Sequence, residues 1–235
     1  MEAPAFDLHP SSQLVDMFRK KPYQGQAPER AAVIFLSSDA NYSANITRHP
    51  FFTRILDYHR DPIQFWRDTG VHHPFLLGEY PFDRRKDGVP FHRKFAAMGL
   101  TSDYADKICF LELLDVPTIG IKSKARPRFR TLLNPVHMTY LQLLLTSGKS
   151  RTVFVSDSVL RDLKYLDKQG WQDYSLWNSP PLGVEQGVPL IYQHGATRVY
   201  KVTHFSGSIS QAELRAIRTL IDSAVQQSVS TGCEQ

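Results

Sequence analysis

The chain is poor in cysteine, with only Cys109 and Cys233 among 235 residues. Two thiols make neither a four-thiolate iron–sulfur cluster nor a zinc ribbon, and such sparse use fits a reducing compartment. Long apolar runs are missing too: no stretch approaches the roughly 18 residues of a membrane span, and the opening segment lacks a signal peptide's apolar core. A cytoplasmic protein with no membrane partner is expected. The glycine-rich signatures of dinucleotide and nucleoside triphosphate cradles are absent, as is the Gly-x-Ser-x-Gly elbow of serine hydrolases, and His72-His73 lacks the i, i+4 spacing of a zincin. No metal and no cofactor are expected. Neither sign of charge dominates: 28 Lys and Arg stand against 23 Asp and Glu, net +5, which permits a polyanionic partner without demanding one.

What is present is an ordinary globular composition, 42% hydrophobic and 22% charged, enough for one sizeable core. Residues 1–30 carry four prolines and one helical stretch, Gln13 to Lys20, and are expected to form an arm packed on the domain. The apolar run Ala31 to Leu36 ends at Ser37-Ser38-Asp39 and reads as a buried strand of a parallel sheet. Helical spacing follows from Pro50 to Arg67, then a polar loop tipped by Asp83 to Gly88, then a helix from Phe91 to Met98. Lys107 to Leu114, Arg151 to Val155 and Arg198 to Thr203 are the other strands, with helices at His137 to Leu145 and Ser158 to Leu166 between them. Gly170 to Ala196, rich in aromatics and proline, reads as an irregular wall. Strands alternating with helices predict an α/β fold, a four-stranded parallel sheet in a three-layer α/β/α sandwich. The domain spans 31–225, followed by a tail over 226–235.

Three places carry chemistry. His204 stands where the last strand hands over to a helix that opens on a capping box, Ser210 and Glu213, with Ile209 and Leu214 as a hydrophobic staple. Asp39, Asn41 and Tyr42 follow the first strand. Glu112 interrupts an apolar strand, and a carboxylate there costs several kcal/mol unless paired or neutralised, so it sits at the strand's wet end or has a dedicated partner. Ligands of open α/β sheets bind at the carboxyl ends of the strands, where all three are expected to meet. Past the second strand, Lys122, Lys124, Arg126, Arg128 and Arg130 alternate with uncharged residues, a pattern shared by a solvated edge and by a loop that grips phosphates.

Taken in order, these motifs resemble the uracil-DNA glycosylase superfamily over roughly residues 31 to 225. Leu36-Ser37-Ser38-Asp39-Ala40-Asn41-Tyr42 stands where that family has a Gly-Gln-Asp-Pro-Tyr-type motif and keeps its acid. Phe75, in His73-Pro74-Phe75-Leu76, matches the phenylalanine that stacks on the extruded base. Phe110-Leu111-Glu112 occupies the place of Leu-Leu-Asn, whose asparagine reads the base, and His204-Phe205-Ser206-Gly207-Ser208-Ile209-Ser210 matches the histidine and first serine of His-Pro-Ser-Pro-Leu-Ser. Three departures stand out: the glycine before Asp39 is lost, Asn41 replaces the tyrosine that shields C5 of uracil, and Glu112 replaces asparagine.

The resemblance implies a DNA glycosylase that flips out a base and cleaves its N-glycosidic bond, with DNA as partner and the chain acting as a monomer. It assigns Asp39 to the water or the cationic sugar and His204 to the base oxygen. Asn41, Tyr42, Phe75 and Glu112 would surround the base. Lys122, Lys124, Arg126, Ser206 and Ser208 would hold phosphates, and Ile209 would fill the vacated stack. The departures point to a C5-modified cytosine, hydroxymethylated or glucosylated as in phage DNA, and to a role in antiviral defence. Uracil repair and a catalytically silent nucleic-acid-binding module are the competing expectations.

Overall fold

The computed structural model describes residues 5–171 and 180–231. In chain order the elements are β1 (Asp7–Leu8), α1 (Ser12–Lys20), β2 (Tyr23–Gly25), β3 (Val33–Ser37), α2 (Phe52–Arg60), α3 (Pro62–Thr69), α4 (Val89–Ala96), β4 (Ile108–Glu112) and β5 (Thr118–Ile119). Then come α5 (Arg126–Thr131), α6 (Pro135–Thr146), β6 (Arg151–Ser156), α7 (Asp157–Lys168), β7 (Gly183–Glu185), β8 (Val188–His194), β9 (Thr197–Val202) and α8 (Gln211–Thr231).

The main sheet is mixed and seven-stranded, in the order β2-β4-β3-β6-β9-β8-β7, which corrects the expectation of four strands. The four expected strands lie side by side and parallel as β4, β3, β6 and β9. The additions are antiparallel and flank them: β2 pairs with β4, and the β7–β8 hairpin pairs with β9. Part of the supposed irregular wall is therefore ordered sheet, while residues 172–179 of it lie outside the described residues. The arm does not merely pack on the domain, because β2 is a strand of the sheet and β1 pairs with β5. Gly25 ends β2 at φ 85°, and a Cβ there would collide with the Ile108 carbonyl oxygen, so the close approach of this edge requires glycine. At the other end, α8 runs through residue 225 to Thr231. Cys233 lies outside the described residues.

Alternation along the central strands divides the core. Ile34, Leu36, Cys109, Leu111, Val153 and Val155 point to one face, packed with Met138 and Leu141 of α6 and Val159, Leu163 and Leu166 of α7. Val33, Phe35, Ile108, Phe110, Phe154 and Tyr200 point to the other, covered by Trp66 of α3, Phe95 of α4 and Leu214, Ile217 and Ile221 of α8. Both faces are buried, which is why these strands read as continuous apolar runs. A third cluster joins Leu14 and Phe18 of α1 to Tyr42, Phe51, Phe75 and Tyr80.

The chain runs from β3 to β4 on one side, then returns to β6 on the other side of β3. That reversal opens a crevice at the carboxyl ends of β3 and β6, the position favoured for ligands in open α/β sheets.

Candidate active site

The crevice is lined by Ser37, Phe91, Ser156, Val202, His204 and Phe205 above Phe35 and Phe154, and it is narrow, with a free volume of about 10 Å³, room for about one water molecule. Because β4, β3 and β9 are parallel, Glu112, Asp39 and His204 all reach this one edge of the sheet. Glu112 is directly opposite Ser37 in register, so it neighbours the turn carrying Asp39, and His204 is two strands away beyond β6.

Asp39 is half-buried, and its Oδ2 accepts from the Thr118 hydroxyl at 2.6 Å. Desolvation raises its carboxyl above the usual range, opposed by the Thr118 hydrogen bond, the Lys122 charge and a hydrogen bond from Asn41. The segment after Asp39 is zipped to β5: Thr118 N donates to the Ala40 carbonyl, Tyr42 N to the Thr118 carbonyl, and the Asn41 amide to Thr118 Oγ1 and to the Gly120 carbonyl at 2.7 Å. Asn41 thus buttresses Asp39, with its amide turned to β5.

Glu112 is 7% exposed at the end of β4, and its Oε2 has no hydrogen-bond partner among the described residues. Desolvation pushes its carboxyl well above the ordinary value, Asp39 pushes the same way, and Lys122 opposes them. Buried carboxyls of this kind hold their proton. The folded-state value lies above the unfolded value of 4.5, so the stability contributed by that proton is full below pH 4.5 and is lost as pH rises toward the folded value. Glu112→Gln, which cannot ionise, is therefore expected to gain on the wild type by up to about 1.4 kcal/mol per pH unit above that point. Urea denaturation at pH 4.5 and pH 8 measures the gain, and an unchanged difference between the two variants would show Glu112 to be ionised in the fold.

His204 follows β9 in a tight turn closed by Gly207 N donating to the His204 carbonyl. Its Nδ1 accepts from Ser206 N at 3.1 Å, which places the proton of the neutral ring on Nε2. Desolvation and the Lys122 charge both hold the ring below its ordinary value, so it is a neutral hydrogen-bond donor at pH 7.

Several expected site residues are placed elsewhere. Phe75 is 1% exposed and locked edge-on against Tyr42 and His73, so it is a core residue and presents no face to a base. Tyr42 is equally buried, its hydroxyl 3.0 Å from His59 Nε2. Ile209 packs in the core beneath α8 and cannot enter a base stack, while Ser206 and Ser208 are exposed beside His204. The basic stretch is no phosphate-gripping loop: it folds into a 3₁₀ turn, Lys122–Lys124, and the helix α5. Lys122 points inward to Ser38 and to Asp162 Oδ2 at 2.6 Å, Arg126 lies 3.9 Å from the other Asp162 oxygen, Arg128 pairs with Asp7, and Arg130 stacks on Tyr165. Lys124 alone of the five is exposed without an ion pair among the described residues.

Two groups escaped sequence reasoning. Thr118, which holds Asp39, gave no signal beyond its place after a strand. Asp162 did, since it falls on the apolar stripe of α7 with Val159, Leu163 and Leu166 and is 1% exposed. Among the described residues no cluster of three or more His, Cys, Asp or Glu is arranged to hold a metal, and no helix is long and apolar enough to cross a membrane. The chain matches no protein-family model, no curated protein and no solved structure.

Proposed function

We propose that the protein is a DNA glycosylase that releases a C5-modified cytosine from a flipped nucleotide. The observation that carries this reading is Glu112: a buried acid whose Oε2 has no hydrogen-bond partner among the described residues, on the strand end next to Asp39, in the place where the resembling family reads its base. A protonated carboxyl offers one donor and one acceptor along one edge, which meet N3 and the N4 amine of cytosine. Reversed, the pair meets O4 and N3–H of uracil, so choice between the bases falls to the C5 edge. No tyrosine guards that edge from position 41, and Tyr42 is held away by His59.

The chemistry follows from the ionisation states. The C1′–N1 bond breaks with its electron pair going to the base, Nε2–H of His204 donates to the oxygen on which the charge collects, and the Asp39 carboxylate faces the cationic sugar. Water then adds at C1′ and loses a proton, leaving an abasic site. Release of a bulky phage-type base suits a role in antiviral defence.

The discriminating experiment is base release from matched oligonucleotides carrying uracil, cytosine or a C5-hydroxymethyl or glucosylated cytosine, by the wild type and by Glu112→Asn. The wild type is expected to act on the modified cytosine. Wild-type release of uracil alone would replace the substrate with that of a repair enzyme, and tight binding without release would make the protein a silent binding module.

A further inference from the structure

As it stands, the crevice admits no base. Its free volume of about 10 Å³ compares with roughly 150 Å³ for an apolar cavity that accepts benzene, so a six-membered ring enters only if part of the wall moves. Phe35, Leu36, Phe154, Val202 and Phe205 cannot supply that movement, because each is at most 5% exposed and belongs to the core. Phe91, on α4, is the half-buried apolar residue of the lining. The helix beneath it is pinned: Val89, His92 and Phe95, spaced i, i+3, i+6, are buried, and Gly88 N donates to the Asn41 carbonyl. Phe91 can therefore leave the crevice by turning its own side chain to another rotamer, with α4 in place.

The position of the ring gives that movement a use. It lies 5.2 Å from the ring of Phe205, 6.3 Å from that of His204 and 6.2 Å from that of Phe110, centroid to centroid. Glu112 is two residues beyond Phe110, on the same face of β4, so the Phe91 ring fills the space between the strand end of Glu112 and the turn of His204. We propose that Phe91 is a specificity-determining plug, whose ring occupies the seat of a flat six-membered ligand in the free protein and rotates out to admit it. The lining suits a pyrimidine, with Phe35 and Phe154 as an apolar floor and polar groups from Ser37, Ser156 and His204 around it. That the ligand is a base in DNA rests on the glycosylase reading; the plug itself does not. A ligand that binds only the open rotamer loses affinity in proportion to the fraction of protein in that rotamer, and truncating the plug removes this loss.

The test is NMR titration of the wild type and of Phe91→Ala with free 5-hydroxymethylcytosine, followed at the Val202 methyls and the His204 ring. With the open rotamer populated to about a tenth, Phe91→Ala is expected to bind roughly tenfold more tightly than the wild type. Phe91→Trp, a larger plug, binds more weakly, and KM for DNA carrying the modified base follows the same order. Phe91→Leu, which keeps more apolar contact with the core, gives the same sign as Phe91→Ala should the latter melt early. Equal or weaker binding by the truncated variants, in protein with a wild-type melting curve, would overturn the proposal, because the ring would then be part of the seat. So would shifts confined to residues outside the crevice, or none in any variant. If the wild type releases no base from DNA, the glycosylase reading fails, and the titration still decides the role of Phe91.

Discussion

His204→Ala is expected to lower single-turnover base release by roughly 10²- to 10³-fold, the cost of removing one preorganised donor from a site where charge develops. The ring is suited to that work because Ser206 N occupies Nδ1, leaving Nε2–H as the only proton, and because burial and Lys122 keep the ring neutral. A neutral donor stabilises a departing base anion without first transferring its proton. Asp39→Ala should cost about 10²-fold or more if, as proposed, its carboxylate stabilises the cationic sugar. DNA affinity should change little in either variant. Retained release within a few-fold of wild type, in protein with a wild-type melting curve, would remove these residues from the chemistry.

The largest effect on stability is expected in mild acid. His59, His72, His73 and His92 are buried around Tyr42, Tyr58 and Phe75, with His72 Nε2 3.1 Å from His92 Nδ1 and the His73 and His92 rings stacked at 3.7 Å. Desolvation lowers all four, to about 3 for His59 and His92, and His9, His137 and His204 are lowered with them. Each group has a folded value below its unfolded value of 6.5, so its contribution is present above pH 6.5 and lost as pH falls toward the folded value. Against these seven, Asp39, Asp87 and Glu112 have raised values and act in the opposite sense above their unfolded values. Unfolding therefore takes up protons below pH 6.5, each buried histidine costing up to about 1.4 kcal/mol per pH unit and the raised carboxyls offsetting part of that loss. Urea denaturation at pH 7, 6 and 5 reads this directly. Stability that is flat over that range would show the histidines to be charged or solvated.

The central strands were legible because burial on both faces leaves continuous apolar runs, and α8 because Ser210 caps Glu213 N as its spacing implied. The flanking strands were not. β2 is three residues between two prolines, and β8 contains Pro189, a residue confined to edges and irregular pairings, so the hairpin read as part of an irregular wall. The alternating cations misled for a different reason: on the short helix α5, spacing by two spreads side chains around the axis instead of along one face. Phe75 was assigned to a base from its place in the order of the family's motifs, whereas the nearby Phe51, Tyr80 and Tyr42 supply a packed nest that claims it. That Asp39, Glu112 and His204 share one edge of the sheet was legible from the strand ends, since parallel strands bring their carboxyl termini to one edge regardless of order. The Lys122–Asp162 pair joins residues 40 apart on different elements, a distance that no local pattern reports.

The most direct measurement is mass-spectrometric detection of free base after incubation of the protein with a duplex carrying C5-hydroxymethyl or glucosylated cytosine. Release of the intact modified base, with an alkali-labile site left in the strand and both signals lost in Asp39→Ala and His204→Ala, is the expected result. DNA recovered with every glycosidic bond intact, from modified cytosine and from uracil alike, would contradict the assignment of this site to base excision.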